Sequence, residues 1–289
     1  LNSSAIGINT KDVFLNKFDI TWAEGNPDQK EFTKLPIEKI TEEQDDGLVT
    51  YQYNNDFFRS DDFKKDHKGL HILFAGCSQT EGVGGNIENT WTNILYNKIK
   101  TNNNVCGFYS IARAGYGWQK IISNFLVYIE KYGKPDFLFI LLPNVGRMYE
   151  WENRINAWTY KQKYPNIFID TIKEKNEIGF SEEDYNKCLI DFKISWTLFE
   201  EFCKANNIKM LWSTWDQLDN DNFNIMGAGE NYLEITDQEK MNKYFENYIS
   251  KNKLKVDDLN RRDDHYGTLY NRYWADIFYK GVRARWEIK

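Results

Sequence analysis

Six consecutive apolar residues, Phe137 to Leu142, make the longest fully apolar run in the chain. A run this short cannot be a membrane helix, which needs roughly 20 apolar residues. It reads instead as a strand covered on both faces, the pattern of a central parallel strand. Comparable segments lie on either side of it. His71 to Gly76 reads as the first strand, Phe108 to Ala112 as the second, Phe137 to Leu142 as the third and Ile208 to Thr214 as the fourth. Helical spacing separates them: Trp91, Ile94, Leu95 and Ile99 within Asn89 to Lys100, then Ile121, Ile122, Phe125, Leu126 and Ile129 within Trp118 to Tyr132. Further helices are predicted from Ser181 to about Asn206, near Gln238 to Ser250, and from Thr268 to Val282. Strands alternating with helices imply an α/β fold with a mostly parallel sheet covered on both faces.

Two regions break the rhythm. Residues 1–68 are polar, with an acidic tract at Glu42 to Asp46, and read as an irregular lead-in with short strands such as Leu48 to Tyr53 that wraps the main domain at 69–289. Residues 150–180 are aromatic and charged and read as an insertion over the strand ends, the usual place for a lid or binding arm. At 289 residues with 41% apolar content, the chain has material for a substantial core. A net charge of −6 gives no basic face for nucleic acid. Cys77, Cys106, Cys188 and Cys203 have no CxxC spacing, so neither a metal site nor a disulfide framework is expected. No signal peptide or membrane span is visible, and the chain is expected to be soluble, cytoplasmic or virion-associated. The sequence leaves its oligomeric state open.

The chemistry concentrates at the ends of the predicted strands. In a parallel α/β sheet the loops at the carboxyl ends of the strands converge on one crevice. Ser78 follows the first strand at the turn after Gly76 and is a nucleophile candidate. A serine nucleophile needs a base, and only His67, His71 and His265 exist. His71 starts the strand that Ser78 ends, so about 20 Å of extended chain separates them. His67 lies farther back and is expected to be solvated. His265 remains, beside Asp263 and Asp264, which could orient its ring; the alternative for that segment is a surface loop of solvated charges. Gly115 after the second strand and Asn144 after the third could supply donors to a developing oxyanion.

These blocks, in this order, resemble the SGNH hydrolases, also called the GDSL esterase and lipase family. Gly76-Cys77-Ser78, Gly115, Asn144 and His265 match its short motifs, and Asn54-Asn55-Asp56-Phe57-Phe58-Arg59 resembles an Asn-x-x-Gly-Phe-Arg lead-in found among its environmental members. The resemblance spans roughly Tyr53 to Val282. It implies a three-layer, flavodoxin-like α/β/α fold with Ser78 as nucleophile and His265 as base. The oxyanion hole would be the Ser78 and Gly115 N–H groups and the Asn144 amide. The chain departs from the family at Cys77, which replaces its Asp, at Leu142 and Val145 in the third block, and at Arg262 three residues before His265. Asp263 is therefore taken as the orienting acid.

The implied activity is a serine esterase without cofactor or metal, acting on a small-molecule or polysaccharide ester. Trp151, Trp158 and Tyr160 suggest stacking on sugar rings and Arg147 an anionic substrate group, which points to O-deacetylation of carbohydrate rather than lipid or small-ester cleavage. A catalytically weakened module with a binding or structural role, for example in a virus particle, is the alternative. The α/β-hydrolase elbow fits less well, because Thr80 stands where its last Gly belongs. Thiol chemistry at Cys77 requires that side chain to face the crevice, which Ser78 should occupy. The loop from Ser78 to Gly85 also has the look of a phosphate-cradling turn for a flavin or nucleotide, but it lacks the lysine of a P-loop.

Overall fold

The computed structural model describes residues 40–44, 47–146, 182–215, 222–223, 227, 229–234 and 267–286. The predicted insertion at 150–180, the helix near 238–250 and the cluster at 257–265 lie outside these residues, and with them Arg147, Trp151, Asp263 and His265.

Four parallel strands form the sheet: β3 (Ile72–Gly76), β4 (Tyr109–Ser110), β5 (Phe137–Leu142) and β6 (Lys209–Thr214), in the order β4-β3-β5-β6. A separate antiparallel hairpin, β1 (Ile40–Gln44) and β2 (Gly47–Tyr51), precedes them. The helices among the described residues are α1 (Ser78–Glu81), α2 (Trp91–Lys100), α3 (Trp118–Tyr132), α4 (Glu182–Ala205) and α5 (Thr268–Arg285).

The two-residue period of a strand sorts the core into two layers. Leu73, Ala75, Leu138, Ile140, Met210 and Trp212 pack with Phe125 and Tyr128 of α3 and Phe192, Trp196 and Phe199 of α4. Ile72, Phe74, Phe137, Phe139 and Leu211 face the other way, onto Trp91 and Leu95 of α2 and Leu269 and Phe278 of α5. The sheet is thus covered on both faces in an α/β/α arrangement. Both layers are densely aromatic. Trp91 stacks on Phe278 with ring centroids 4.7 Å apart, and Phe192 stacks on Trp196 at 5.2 Å. Most of the rings that composition made conspicuous among the described residues lie in the core, where each contributes about 1.5–3 kcal/mol by burial.

The second strand is shorter than the predicted Phe108 to Ala112. β4 lies at the sheet edge and pairs only with β3, and side chains from the lead-in occupy its outer groups. Phe108 N–H donates to Asp61 Oδ2 at 2.9 Å and Ser110 N–H to Ser60 Oγ at 3.0 Å. The exposed edge is satisfied without another strand, a protection against edge-to-edge pairing. The lead-in also supplies Phe58 and Phe63 to the core.

His67 corrects an expectation. It is half-buried rather than free in solvent: its ring stacks on His71 with centroids 3.6 Å apart, and its Nε2 lies 2.8 Å from the Tyr132 carbonyl. Both rings lie at the amino end of the sheet, opposite the end that carries Ser78. Among the described residues no helix is long and apolar enough to cross a membrane.

Candidate active site

Because β3, β4 and β5 run parallel, the segments that follow them emerge at one edge of the sheet. The register places Gly76 opposite Leu141, so Ser78 and Asn144 leave neighbouring strands almost level with one another. Arg113 N–H donates to the Gly76 carbonyl at 3.3 Å, bringing the segment after β4 alongside the first turn. The segments that carry Ser78, Gly115 and Asn144 therefore leave the sheet at the same, carboxyl end.

Ser78 opens the four-residue helix α1 and is 8% exposed. Its N–H is among the first of the helix, which have no partner one turn back. The approach to this turn is tight. A Cβ at Gly76 would lie 2.0 Å from Thr80 Oγ1 and 2.7 Å from the Leu141 carbonyl, so only glycine lets the strand pass so close to its neighbour and to the new helix. Cys77 continues the alternation of Leu73 and Ala75, and its side chain is buried in the core layer beneath α3 and α4. Cys77 thus faces away from the strand-end crevice, as strand-to-turn geometry predicted. The Ser78 hydroxyl reaches its sulfur only at 4.0 Å, a weak contact between adjacent side chains, and a thiol in this apolar layer needs no stronger partner, which accounts physically for a cysteine at this position.

Gly115 sits in the turn from Arg113 to Tyr116, closed by a Tyr116 N–H bond to the Arg113 carbonyl at 3.3 Å. Its φ of +79° at the third position is the type II signature that favours glycine.

Asn144 is 3% exposed. Its Oδ1 accepts the Gly146 N–H at 2.8 Å, which fixes the orientation of the amide, because only the oxygen can accept there. Its Nδ2 is consequently turned elsewhere, and that buried nitrogen has no hydrogen-bond partner among the described residues. An unpaired buried donor costs about 1–3 kcal/mol. Trp91 Nε1 and Trp196 Nε1 share this state in the core, so what sets the Asn144 amide apart is its place at the carboxyl end of the sheet.

The described residues also bear on the C-terminal block. Gly267 and Thr268, at the start of α5, line a small cleft together with Gln79, Gly82 and Val83 of the loop after Ser78. Gly267, two residues beyond His265, therefore lies beside the loop that follows Ser78. Trp91 N–H donates to Asn271 Oδ1 at 2.9 Å, anchoring α5 to the start of α2.

Around these donors lies a buried polar network that sequence reasoning missed. Glu81, 4% exposed, accepts the Ala114 N–H at Oε2 (2.6 Å) and the Tyr53 hydroxyl at Oε1 (3.1 Å). Burial, reinforced by the Glu81 carboxylate, holds the Tyr53 phenol well above its usual range, so it stays a donor. Arg59 caps the end of α1, its Nη1 donating to the Gly82 carbonyl at 2.7 Å and the Glu81 carbonyl at 3.3 Å. Arg113 donates to the Phe57 carbonyl and lies over the Tyr53 ring. The one available signal was the lead-in motif containing Arg59; nothing in it identified Glu81 as its counterpart.

No family model and no curated protein matches the chain. Solved structures do align with it. An acetyl xylan esterase aligns at 16% identity over 73% of this chain and 98% of its own, with a TM-score of 0.41. A lipase/acylhydrolase from Enterococcus faecalis aligns at 12% identity over 76% and 99%, with a TM-score of 0.34. A member of the lipolytic protein G-D-S-L family from Veillonella parvula aligns at 11% identity over 75% and 98%, with a TM-score of 0.32. The likeness is to lipolytic and esterase proteins. At these identities and scores the alignments assign no role to any residue of this chain.

Proposed function

We propose that the chain is a serine ester hydrolase of the SGNH type. The observation that carries this reading is the Asn144 amide: a buried N–H donor, oriented by its own Oδ1 contact and without a partner among the described residues, after the strand that neighbours the one Ser78 follows. An oxyanion hole requires such a donor, preorganised and waiting for an oxygen that the resting protein lacks.

In the proposed reaction His265 takes the Ser78 hydroxyl proton as Oγ attacks the ester carbonyl carbon. The resulting oxyanion is held by the Ser78 and Gly115 N–H groups and by Asn144 Nδ2. Collapse breaks the ester C–O bond, and the leaving alcohol takes the proton from His265. Water, deprotonated by the same histidine, then attacks the acyl carbon; the Ser78 Oγ–acyl bond breaks, His265 returns the proton to Oγ, and the acid is released. Asp263 is the proposed orienting acid for His265.

The finer reading is removal of O-acetyl groups from a carbohydrate. It is supported by the sequence of the aromatic segment around Trp151, with Arg147 as a contact for an anionic sugar substituent. The weakened-module alternative loses one of its grounds, since Cys77 departs from the family pattern at a side chain buried in the core rather than at the crevice.

Hydrolysis of 4-nitrophenyl acetate tests the proposal. Ser78→Ala should fall to background and Asn144→Ala should lose roughly 100- to 1,000-fold in kcat. Equal rates for wild type and Ser78→Ala would overturn it. Acetate release from acetylated xylan, set against cleavage of a long-chain 4-nitrophenyl ester, decides between carbohydrate and lipid substrates.

A further inference from the structure

Three loops meet at the buried carboxylate of Glu81, and their bonds are unequal. Three neutral bonds of the turn that presents Gly115 are long: Arg113 N–H to Gly76 O at 3.3 Å, Tyr116 N–H to Arg113 O at 3.3 Å, and Ala112 N–H to Ser110 Oγ at 3.3 Å; the Arg113 side chain adds a charge-assisted bond to the Phe57 carbonyl at the turn's first residue. The Ala114 N–H, by contrast, donates to Glu81 Oε2 at 2.6 Å. A bond to a carboxylate at this length is roughly twice as strong as a neutral one. Ala114 is the second residue of the turn and Gly115 the third. Fixing the Ala114 amide fixes the peptide plane immediately before the Gly115 N–H.

The carboxylate is itself immobilised. Its other oxygen takes the Tyr53 hydroxyl, and Arg59 binds the carbonyls at the end of the helix that carries it. Glu81 belongs to the helix that Ser78 begins. It therefore couples the segment bearing the nucleophile to the segment bearing the oxyanion donor, and the lead-in residues Tyr53 and Arg59 brace the coupling from outside the sheet.

We propose that Glu81 is a positioning residue for acyl transfer, holding the Arg113–Tyr116 turn so that the Gly115 N–H and Ser78 keep one fixed relation. The proposal rests on the serine-hydrolase reading. Catalysis then depends on Glu81 although it does not touch the substrate, because donors must be placed for the oxyanion within tenths of an ångström.

The test uses the full chain with Glu81→Gln, which keeps the shape and one acceptor oxygen but removes the charge, together with Glu81→Ala and Tyr53→Phe. Steady-state hydrolysis of 4-nitrophenyl acetate is measured alongside hydrogen exchange at individual backbone amides. Glu81→Gln should lower kcat roughly tenfold with KM within about twofold, as expected when a charge-assisted bond becomes a neutral one. The Ala114 amide should exchange faster while the amides of β3 and β5 keep their wild-type rates. Glu81→Ala should lose more, and Tyr53→Phe less than Glu81→Gln, since the Ala114 bond survives in it. Where Glu81→Ala does not fold, Glu81→Gln decides. A folded Glu81→Gln protein with wild-type kcat, or with unchanged Ala114 exchange, overturns the proposal. So does a uniform rise in exchange across the sheet, which would mark a merely structural role. A wild type without activity that depends on Ser78 overturns the hydrolase reading instead, and the two failures are told apart by the Ser78→Ala control.

Discussion

Lowering the pH should destabilise this protein through His71, and the structure sets the size of the effect. His71 Nδ1 lies 3.2 Å from the Lys134 carbonyl and Nε2 2.7 Å from the Tyr128 hydroxyl. A carbonyl only accepts, so Nδ1 carries the proton and Nε2 accepts from Tyr128: the neutral ring is fully satisfied. A second proton would meet a hydroxyl already donating, in a buried setting beside the stacked His67 ring. Burial, and then His67, push the His71 pKa from its ordinary 6.5 down to about 3. The unfolded chain therefore binds the proton first, and stability is greatest above pH 6.5 and falls as pH drops toward 3. With these two values the linkage relation gives a loss of about 2 kcal/mol between pH 7 and pH 5, and about 3 kcal/mol by pH 4. Urea unfolding at pH 7, 6 and 5, compared with His71→Gln, isolates the contribution. The variant can donate to Lys134 and accept from Tyr128, but it does not titrate. Wild type should lose about 2 kcal/mol more than the variant from pH 7 to pH 5. Parallel losses, or an NMR titration of His71 with a midpoint near its ordinary value, would refute the reasoning.

Gly76→Ala should destabilise by about 1–3 kcal/mol, because its Cβ would meet the Leu141 carbonyl and Thr80, and thermal unfolding measures this directly. Phe57 holds φ at +65° where the lead-in it resembles carries glycine, so Phe57→Gly should relieve about 1 kcal/mol of backbone strain; an unfolding midpoint lower than wild type would show that packing of the ring outweighs it. Cys77→Ala should retain esterase activity that Ser78→Ala loses. In the native protein iodoacetamide should label half-buried Cys106 before the buried Cys77, Cys188 and Cys203, as read by peptide mass mapping.

What was legible in the sequence follows from the range of the forces involved. The spans Trp118–Tyr132 and Phe137–Leu142 matched to the residue, because one amphipathic stripe and one doubly covered strand each carry a local pattern. The order of strand ends placed Ser78, Gly115 and Asn144 at one edge for the same reason. The helix at Ser78–Glu81 is too short for any periodicity to announce it. Glu81 looked like an ordinary acid in a polar loop, since its partners Tyr53 and Ala114 lie 28 and 33 residues away in the chain. His67 was misjudged likewise, its carbonyl partner at Tyr132 being 65 residues distant. The unpaired state of Asn144 Nδ2 emerges only once burial is known, whereas its Asx-type turn was foreseeable.

The alternation along β3 decides which side chain faces the strand-end crevice. Leu73, Ala75 and Cys77 share one side of the sheet, and sulfur is kept from the crevice by strand parity alone. Inserting a single residue between Ile72 and Gly76, with the ladder to β5 preserved, would advance Cys77 into the place that Ser78 now holds and present a thiol where a hydroxyl now stands. Which of the two side chains stands there is one residue of count, and the packing of both core layers opposes that slip.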